Sequence, residues 1–229
     1  LLLKSKGALQ LRFKYLRIYR EQLWEMVKIG VPSGLQGCLF SISNVVVQSS
    51  VNSFGEYVMA GNSYSQQIES VVYQAMNGVS LSALSFVGQN YGAGKYDRIK
   101  KIVLECVLLV TAVGVVLGGL AVLLAKPIVG LITDDAYVVD VAAKRLLIVC
   151  APYFLCGIME VYSFTLRGFG KSTSSMLINL FGTCVFRLVW IKVMLGIIDE
   201  VYIIYWVYPI SWFLAAAGMI IYYEIVIRK

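Results

Sequence analysis

IVLECVLLVTAVGVVLGGLAVLLA, residues 102–125, is the stretch whose reading decides the fold. It carries one charge, Glu105, near its start and stops at Lys126-Pro127. About 20 apolar residues in a helix cross the hydrocarbon core of a bilayer. Strands of a membrane barrel alternate every second residue over about ten residues, and this block does not. An unpaired strand cannot satisfy its backbone in lipid, so the block reads as a spanning helix.

Working outward, five further runs share this character. The six candidate spans are about 27–52, 57–88, 102–125, 140–166, 173–197 and 202–226. Pro32 falls in the first turns of the first span and Pro209 near the start of the sixth, where a missing N–H costs little. The third and sixth spans look lipid-facing by composition. The fold class expected is therefore an all-α integral membrane protein, a six-transmembrane-helix bundle. Composition agrees: 59% of the 229 residues are apolar and 14% charged, against about 25% charged in soluble domains.

The net charge of +7 is not a nucleic-acid signature, because the cations sit in short clusters between apolar blocks. Fifteen of the 20 Lys and Arg lie in the N-terminal segment, the turns near 95–101 and 167–171, and the C-terminus. The intervening loops carry Glu56, then Asp134, Asp135 and Asp140, then Asp199 and Glu200. The positive-inside rule puts both ends of the segment in the cytoplasm of a plasma (inner) membrane protein. Lys126, Lys144 and Arg145 are exceptions near the outer face, expected to snorkel. Residues 1–26 read as a basic amphipathic cytoplasmic segment or linker, and residues 27–229 as the membrane lobe. The chain opens on Leu and looks like the continuation of something longer.

There is no histidine, and all five cysteines lie in apolar runs without a C-x-x-C, so no metal site and no cofactor are expected. No zinc, nucleophile-elbow or Walker motif occurs, so an enzyme is not expected. Gly88–Lys95 lacks the Walker spacing and reads as a helix stop with tight turn chemistry.

Polar residues inside the spans carry the functional argument. Asn62, Gln66, Glu69, Tyr73, Asn77 and Ser80 recur at steps of three and four and share one face of the second helix. An acid at mid-bilayer costs about 2.5–3.5 kcal/mol on insertion scales, so Glu69 should face the bundle interior or a water-filled cavity. It is either a proton or cation site or a helix–helix contact answered by a neighbouring Gln, Asn or Arg. Ser33, Gly37, Ser41, Asn44 and Gln48 form a matching stripe on the first helix, which either packs closely or lines the same cavity. The candidate substrate- or cation-binding set is Glu69, Gln66, Tyr73, Asn44, Gln36, Asn62 and Asn77. Glu160 and Arg187 form a candidate secondary charge network: Glu160 lies close to Arg167, and Arg187 is a buried cation able to pair with Glu160 or Glu69. Lys192 is a second cation in the same helix.

Several stretches resemble the multidrug and toxic compound extrusion (MATE) family. SFVGQNYGAGKYDRIKK (85–101) resembles the loop after that family's eighth helix, KIGVPSGLQGCLFSISN (28–44) its seventh helix, and SQQIESVVYQAMNGVSLS (65–82) its eighth. LITDDAYVVDVAAKRLLIVCAPYF (131–154) resembles the connection into the tenth, and LRGFGKSTSSM (166–176) the Leu-Arg-Gly turn after it. The resemblance implies a C-terminal lobe, helices seven to twelve, of a twelve-helix transporter. Such a transporter exports cationic or amphipathic small molecules by alternating access in exchange for protons or sodium. The implied partners are membrane lipid, the substrate and the missing N-terminal lobe, with no nucleic acid. Two positions depart from the family pattern. Cys156 stands where some members place an Asp, eleven residues before the Arg of the turn, and the first helix of this lobe has no acid. A lipid or lipid-linked oligosaccharide flippase of the same superfamily and a non-transporting scaffold subunit are the alternatives.

Overall fold

The computed structural model describes residues 17–198 and 200–228, and those residues are helical apart from short turns. The helices are α1 (Arg20–Asn52), α2 (Glu56–Gly92), α3 (Tyr96–Leu123), the short α4 (Ala125–Gly130), α5 (Ala136–Cys150), α6 (Phe154–Gly168), α7 (Ser172–Asn179), α8 (Phe186–Met194) and α9 (Val201–Ile227). A π-helical turn, Leu180–Val185, joins α7 to α8 into one rod. Among the described residues α1, α3, the α7–α8 rod and α9 are each long and apolar enough to cross a membrane. The α5–α6 pair makes a fifth crossing if its 46° bend is taken as one broken span. At about 1.5 Å per residue α2 is long enough as well, but its polar stripe lowers its hydropathy.

Several expectations need correction. The proposed boundary at residue 27 falls inside α1, which is continuous from Arg20. Pro32 is therefore more than three turns into the helix, and Pro209 is two turns into α9, so both remove an interior backbone hydrogen bond. The amphipathic reading of residues 1–16 lies outside the described residues. The fourth span is not one helix, because Pro152 has no N–H to give Ile148 and the chain turns at Ala151–Tyr153. The sixth span is lipid-facing over only part of its surface, where Trp206, Phe213, Leu214 and Ile221 are exposed. Its helix α9 buries more residues than any other, among them Tyr205, Tyr208, Trp212 and Met219. Composition alone does not separate a helix surrounded by protein from one surrounded by lipid.

Small residues set the packing. A Cβ built on Gly118 of α3 would lie 2.5 Å from the Cys150 carbonyl oxygen, and one on Gly114 would lie 3.0 Å from the Phe154 Cα. Two glycines one turn apart thus let α3 lie directly against the α5–α6 break. Gly61 of α2 meets the Val138 carbonyl oxygen, at 2.9 Å from such a Cβ, in the same manner.

The two basic turns share one construction. After α2, Gly94 takes φ +68°, the Lys95 amide donates to the Asn90 carbonyl (2.9 Å) and the Gly94 amide to the Tyr91 carbonyl (3.1 Å). After α6, Gly170 takes φ +73°, the Lys171 amide donates to the Leu166 carbonyl (2.8 Å) and the Gly170 amide to the Arg167 carbonyl (2.9 Å). Both are Schellman closures, which satisfy the last carbonyls of a helix through a left-handed glycine. The helix-stop reading of Gly88–Lys95 is borne out. Tyr91 meets Phe169 edge-on at 5.2 Å, so both turns lie at one end of the bundle. At the other end Tyr57 meets Tyr137 at 6.3 Å, beside Glu56 and Asp134.

Candidate functional site

A cavity of about 460 Å³ opens where α1, α2, the α5–α6 break, α8 and α9 converge. Each wall follows from local structure. Asn44 and Gln48 are one turn apart on α1, and Gln66, Glu69 and Tyr73 follow the three-and-four spacing on α2. Tyr153 enters because Pro152 breaks the span there. Tyr208 and Trp212 are one turn apart on α9. The π-helical turn shifts the register of the residues after it, and Arg187 becomes one of two buried residues on α8.

Glu69 is the centre of the polar contacts. Its Oε2 accepts from Arg145 Nη2 at 2.7 Å, and its Oε1 accepts from the Tyr153 hydroxyl at 3.1 Å. Arg145 also donates from Nη1 to Ser65 Oγ (3.2 Å), and its guanidinium lies over the rings of Tyr205 and Tyr208 at 5.7 and 5.9 Å. The Arg145 side chain is 1% exposed and that of Glu69 15%. The pair is thus buried on the cation's side and open to the cavity on the acid's side. A second polar group adjoins it. Gln48 Oε1 accepts from both Asn62 Nδ2 (2.8 Å) and Gln66 Nε2 (3.0 Å), while Gln48 Nε2 donates to Asn52 Oδ1 (2.7 Å).

Of the seven expected binding residues, Glu69, Gln66, Tyr73 and Asn44 line the cavity. Gln36, Asn62 and Asn77 do not. Asn62 is buried against Gln48 between α1 and α2. Gln36 and Asn77 lie about two turns beyond Asn44 and Glu69 along their helices, roughly 12 Å away. The charge network also differs. Arg187 pairs with neither Glu160 nor Glu69. Its Nη1 donates to Asn44 Oδ1 (3.0 Å) and its Nε to Ser211 Oγ (3.1 Å). Glu160 forms no ion pair among the described residues, and the Arg167 guanidinium lies over the Phe164 ring at 4.8 Å. Lys192 is exposed on α8. Lys144 stays at the surface beside Asp140 (2.8 Å), as snorkelling predicts, but Arg145 turns inward.

Sequence reasoning missed Arg145, Tyr153 and Ser65. The signal for Arg145 was present. Val138, Val141, Ala142, Arg145, Leu146 and Val149 repeat at helical spacing, so Arg145 sits on the buried face of α5 and Lys144 beside it does not.

Residues 32–193 match the sequence profile of the MatE family. A probable multidrug resistance protein of Bacillus subtilis, YoeA, is 27% identical over 168 residues, 73% of this chain and 36% of that protein. An FAD transporter of Shewanella oneidensis is 23% identical over 68% of this chain and 34% of its own length. Among solved structures, the outward-facing conformation of a multidrug resistance MATE family transporter superposes with a TM-score of 0.89 at 17% identity, covering 99% of this chain and 51% of that one. The bent form of the Vibrio cholerae MATE transporter VcmN gives 0.84 at 18% identity, covering 96% and 50%. The structural likeness is one of fold, and the chain spans about half of each solved protein. Together with the profile match over most of its length, these likenesses mean that the chain belongs to the MATE family of multi-pass membrane transporters.

Proposed function

We propose that this chain is the C-terminal lobe of a secondary active transporter that exports amphipathic drug-like compounds by alternating access, coupled to inward movement of a cation at Glu69. The observation that carries this reading is an ion pair half open to a cavity. Glu69 meets Arg145 at 2.7 Å within a wall that mixes aromatic and polar side chains. A scaffold gains nothing from an acid placed there, since intramembrane charges are expensive to insert. Relatives named as multidrug resistance proteins support efflux as the activity.

As the coupling ion we take a proton: protonation neutralises Glu69 and releases Arg145 and Tyr153 from it, working against the attraction of the guanidinium for the carboxylate. That release gives the lobe two packings, which alternating access needs. The N-terminal lobe of the same protein is the partner, as the half-length match to solved transporters supports. The basic turns at Lys95 and Lys171, which share one end of the bundle, support a plasma-membrane placement with both ends of this segment in the cytoplasm. The lipid-linked flippase reading is weaker. It requires several free cations for a pyrophosphate, and only Arg187 lines the cavity without a carboxylate partner, since Arg145 is already neutralised and Lys192 lies outside the cavity.

The test is Glu69→Gln in the full-length protein, with export of cationic, neutral and anionic amphipathic dyes and proton flux measured in vesicles. Export below about a tenth of wild type, with loss of the substrate-driven proton flux, is expected. Unchanged export with unchanged ion dependence would sink the assignment.

A further inference from the structure

The cavity holds two guanidinium groups and one carboxylate. Arg145 and Glu69 neutralise each other. Arg187 is left over. Among the described residues no carboxylate lies within 4.0 Å of it, and its acceptors, Asn44 and Ser211, are neutral. Its Nη2 makes no hydrogen bond, although the residue is 0% exposed. Taking a cation out of water without a counter-charge is strongly unfavourable, and a buried charge is ordinarily paired. Tethering Asn44 to Ser211 does not by itself require a charge, because both acceptors are neutral.

The group is also held in one orientation. The ring of Tyr208 lies 4.7 Å from the guanidinium carbon and that of Phe40 5.1 Å from it. Two ring contacts and two hydrogen bonds fix the guanidinium plane and leave one terminal nitrogen without a partner. A fixed guanidinium with a free nitrogen matches the oxygens of a carboxylate or phosphate. Arg187, Phe40 and Tyr208 all line the cavity, as does Trp212, so the buried guanidinium forms part of the wall of the space a ligand would occupy.

We propose that Arg187 is the binding residue for the anionic group, a carboxylate or a phosphate, of an amphipathic ligand whose apolar part lies along Phe40 and Trp212. This rests on the transport reading only in treating the cavity as accessible. It narrows the substrate class away from the cationic compounds that an unpaired Glu69 would select. The same chemistry fits a soluble amphipathic acid or the headgroup of an anionic phospholipid.

The test is a binding measurement on the purified full-length protein, which requires no transport and so fails independently of the Glu69 experiment. Fluorescent probes with one aromatic body and three head groups are titrated into protein in phosphatidylcholine nanodiscs: pyrenebutyrate, pyrenebutanol and pyrenebutylammonium. Wild type should bind the carboxylate at least tenfold tighter than the alcohol, and the ammonium weakest. Arg187→Gln should bring the carboxylate-to-alcohol ratio to within twofold of one, and Arg187→Lys should keep part of the preference. The wild-type ranking needs no variant, so the proposal stays testable if Arg187→Gln does not fold. A wild-type ratio near one overturns it, as does a preference that survives in Arg187→Gln. Repeating the titration in phosphatidylglycerol nanodiscs separates the sources. A wild-type-specific loss of pyrenebutyrate affinity supports occupation by a lipid headgroup, and an unchanged affinity supports a soluble acid.

Discussion

Arg145 of α5 and Glu69 of α2 are joined at 2.7 Å across the middle of the bundle, although 76 residues separate them in the chain. The contact ties α2, the longest helix of the lobe, to the segment just before the Pro152 break. Tyr153, on the far side of that break, holds the other oxygen of the same carboxylate. The bend between α5 and α6 and the ionisation of Glu69 are therefore mechanically linked. Any change at the carboxylate is felt on both halves of the broken span.

Removing one member of this pair should cost more than removing both. Breaking a buried pair by deleting one partner costs about 3–5 kcal/mol, because the remaining charge stays buried alone. Arg145 is the more deeply buried, so Glu69→Gln, which strands it, should destabilise more than Arg145→Gln, which leaves a carboxylate with access to the cavity. Thermal unfolding of the full-length protein in detergent should show both single variants lowered and the double variant recovering part of the loss. Additive losses across the double-mutant cycle would mean the pair is not coupled.

Orientation is open to a labelling experiment. The turns carrying Lys95 and Lys171 share one end, and Glu56 and Asp134 lie at the other, all four exposed. In a full-length variant lacking the natural cysteines, Lys95→Cys and Lys171→Cys should react with a membrane-impermeant maleimide only from the cytoplasmic side. Glu56→Cys and Asp134→Cys should react only from outside. Labelling of both pairs from one side contradicts the arrangement.

The sequence carried the helices themselves, because long apolar blocks and the absence of period-two alternation leave one backbone solution in lipid. The polar stripe on α2 was legible for the same periodic reason, and Glu69 does face a cavity. What periodicity could not reach was the partner across the bundle. Arg145 sits beside Lys144, and the two look alike as a basic doublet near an outer loop. Only the register of Val141, Ala142 and Leu146 separates the inward residue from the outward one. The lipid-facing reading of α9 holds for only part of its surface, for a different reason. Lipid tails and protein cores are equally apolar, so an evenly apolar helix does not report which surrounds it.

The glycines that close α2 and α6 should be sensitive to substitution in proportion to their backbone angle. Gly94 and Gly170 sit at φ +68° and +73°, where a Cβ costs roughly 1–2 kcal/mol. Nothing lies within 4 Å of a Cβ at either position, so the penalty is one of backbone conformation alone. Gly94→Ala and Gly170→Ala should each destabilise by about 1 kcal/mol in denaturant or thermal melts. Gly92→Ala, with equally open surroundings and ordinary helical angles, should be neutral. Equal effects at Gly92 and Gly94 would count against the Schellman assignment.

Two adjacent glycines on α3 separate packing from helix propensity. A Cβ at Gly118 would meet the Cys150 carbonyl oxygen at 2.5 Å, a rigid backbone atom that must move, whereas a Cβ at Gly119 meets nothing within 4 Å. Alanine raises helix propensity at both positions by a similar amount. Gly119→Ala should therefore be neutral or slightly stabilising. Gly118→Ala should push α3 away from the α5–α6 break and lose about 1–3 kcal/mol, as overpacked cores do. The displaced segment carries Tyr153 at its bend, so Gly118→Ala should also weaken export beyond what its loss of folded protein explains. Measuring melting temperature and export per folded molecule for both variants checks this. If Gly118→Ala melts with wild type and exports normally, α3 does not hold the break in place.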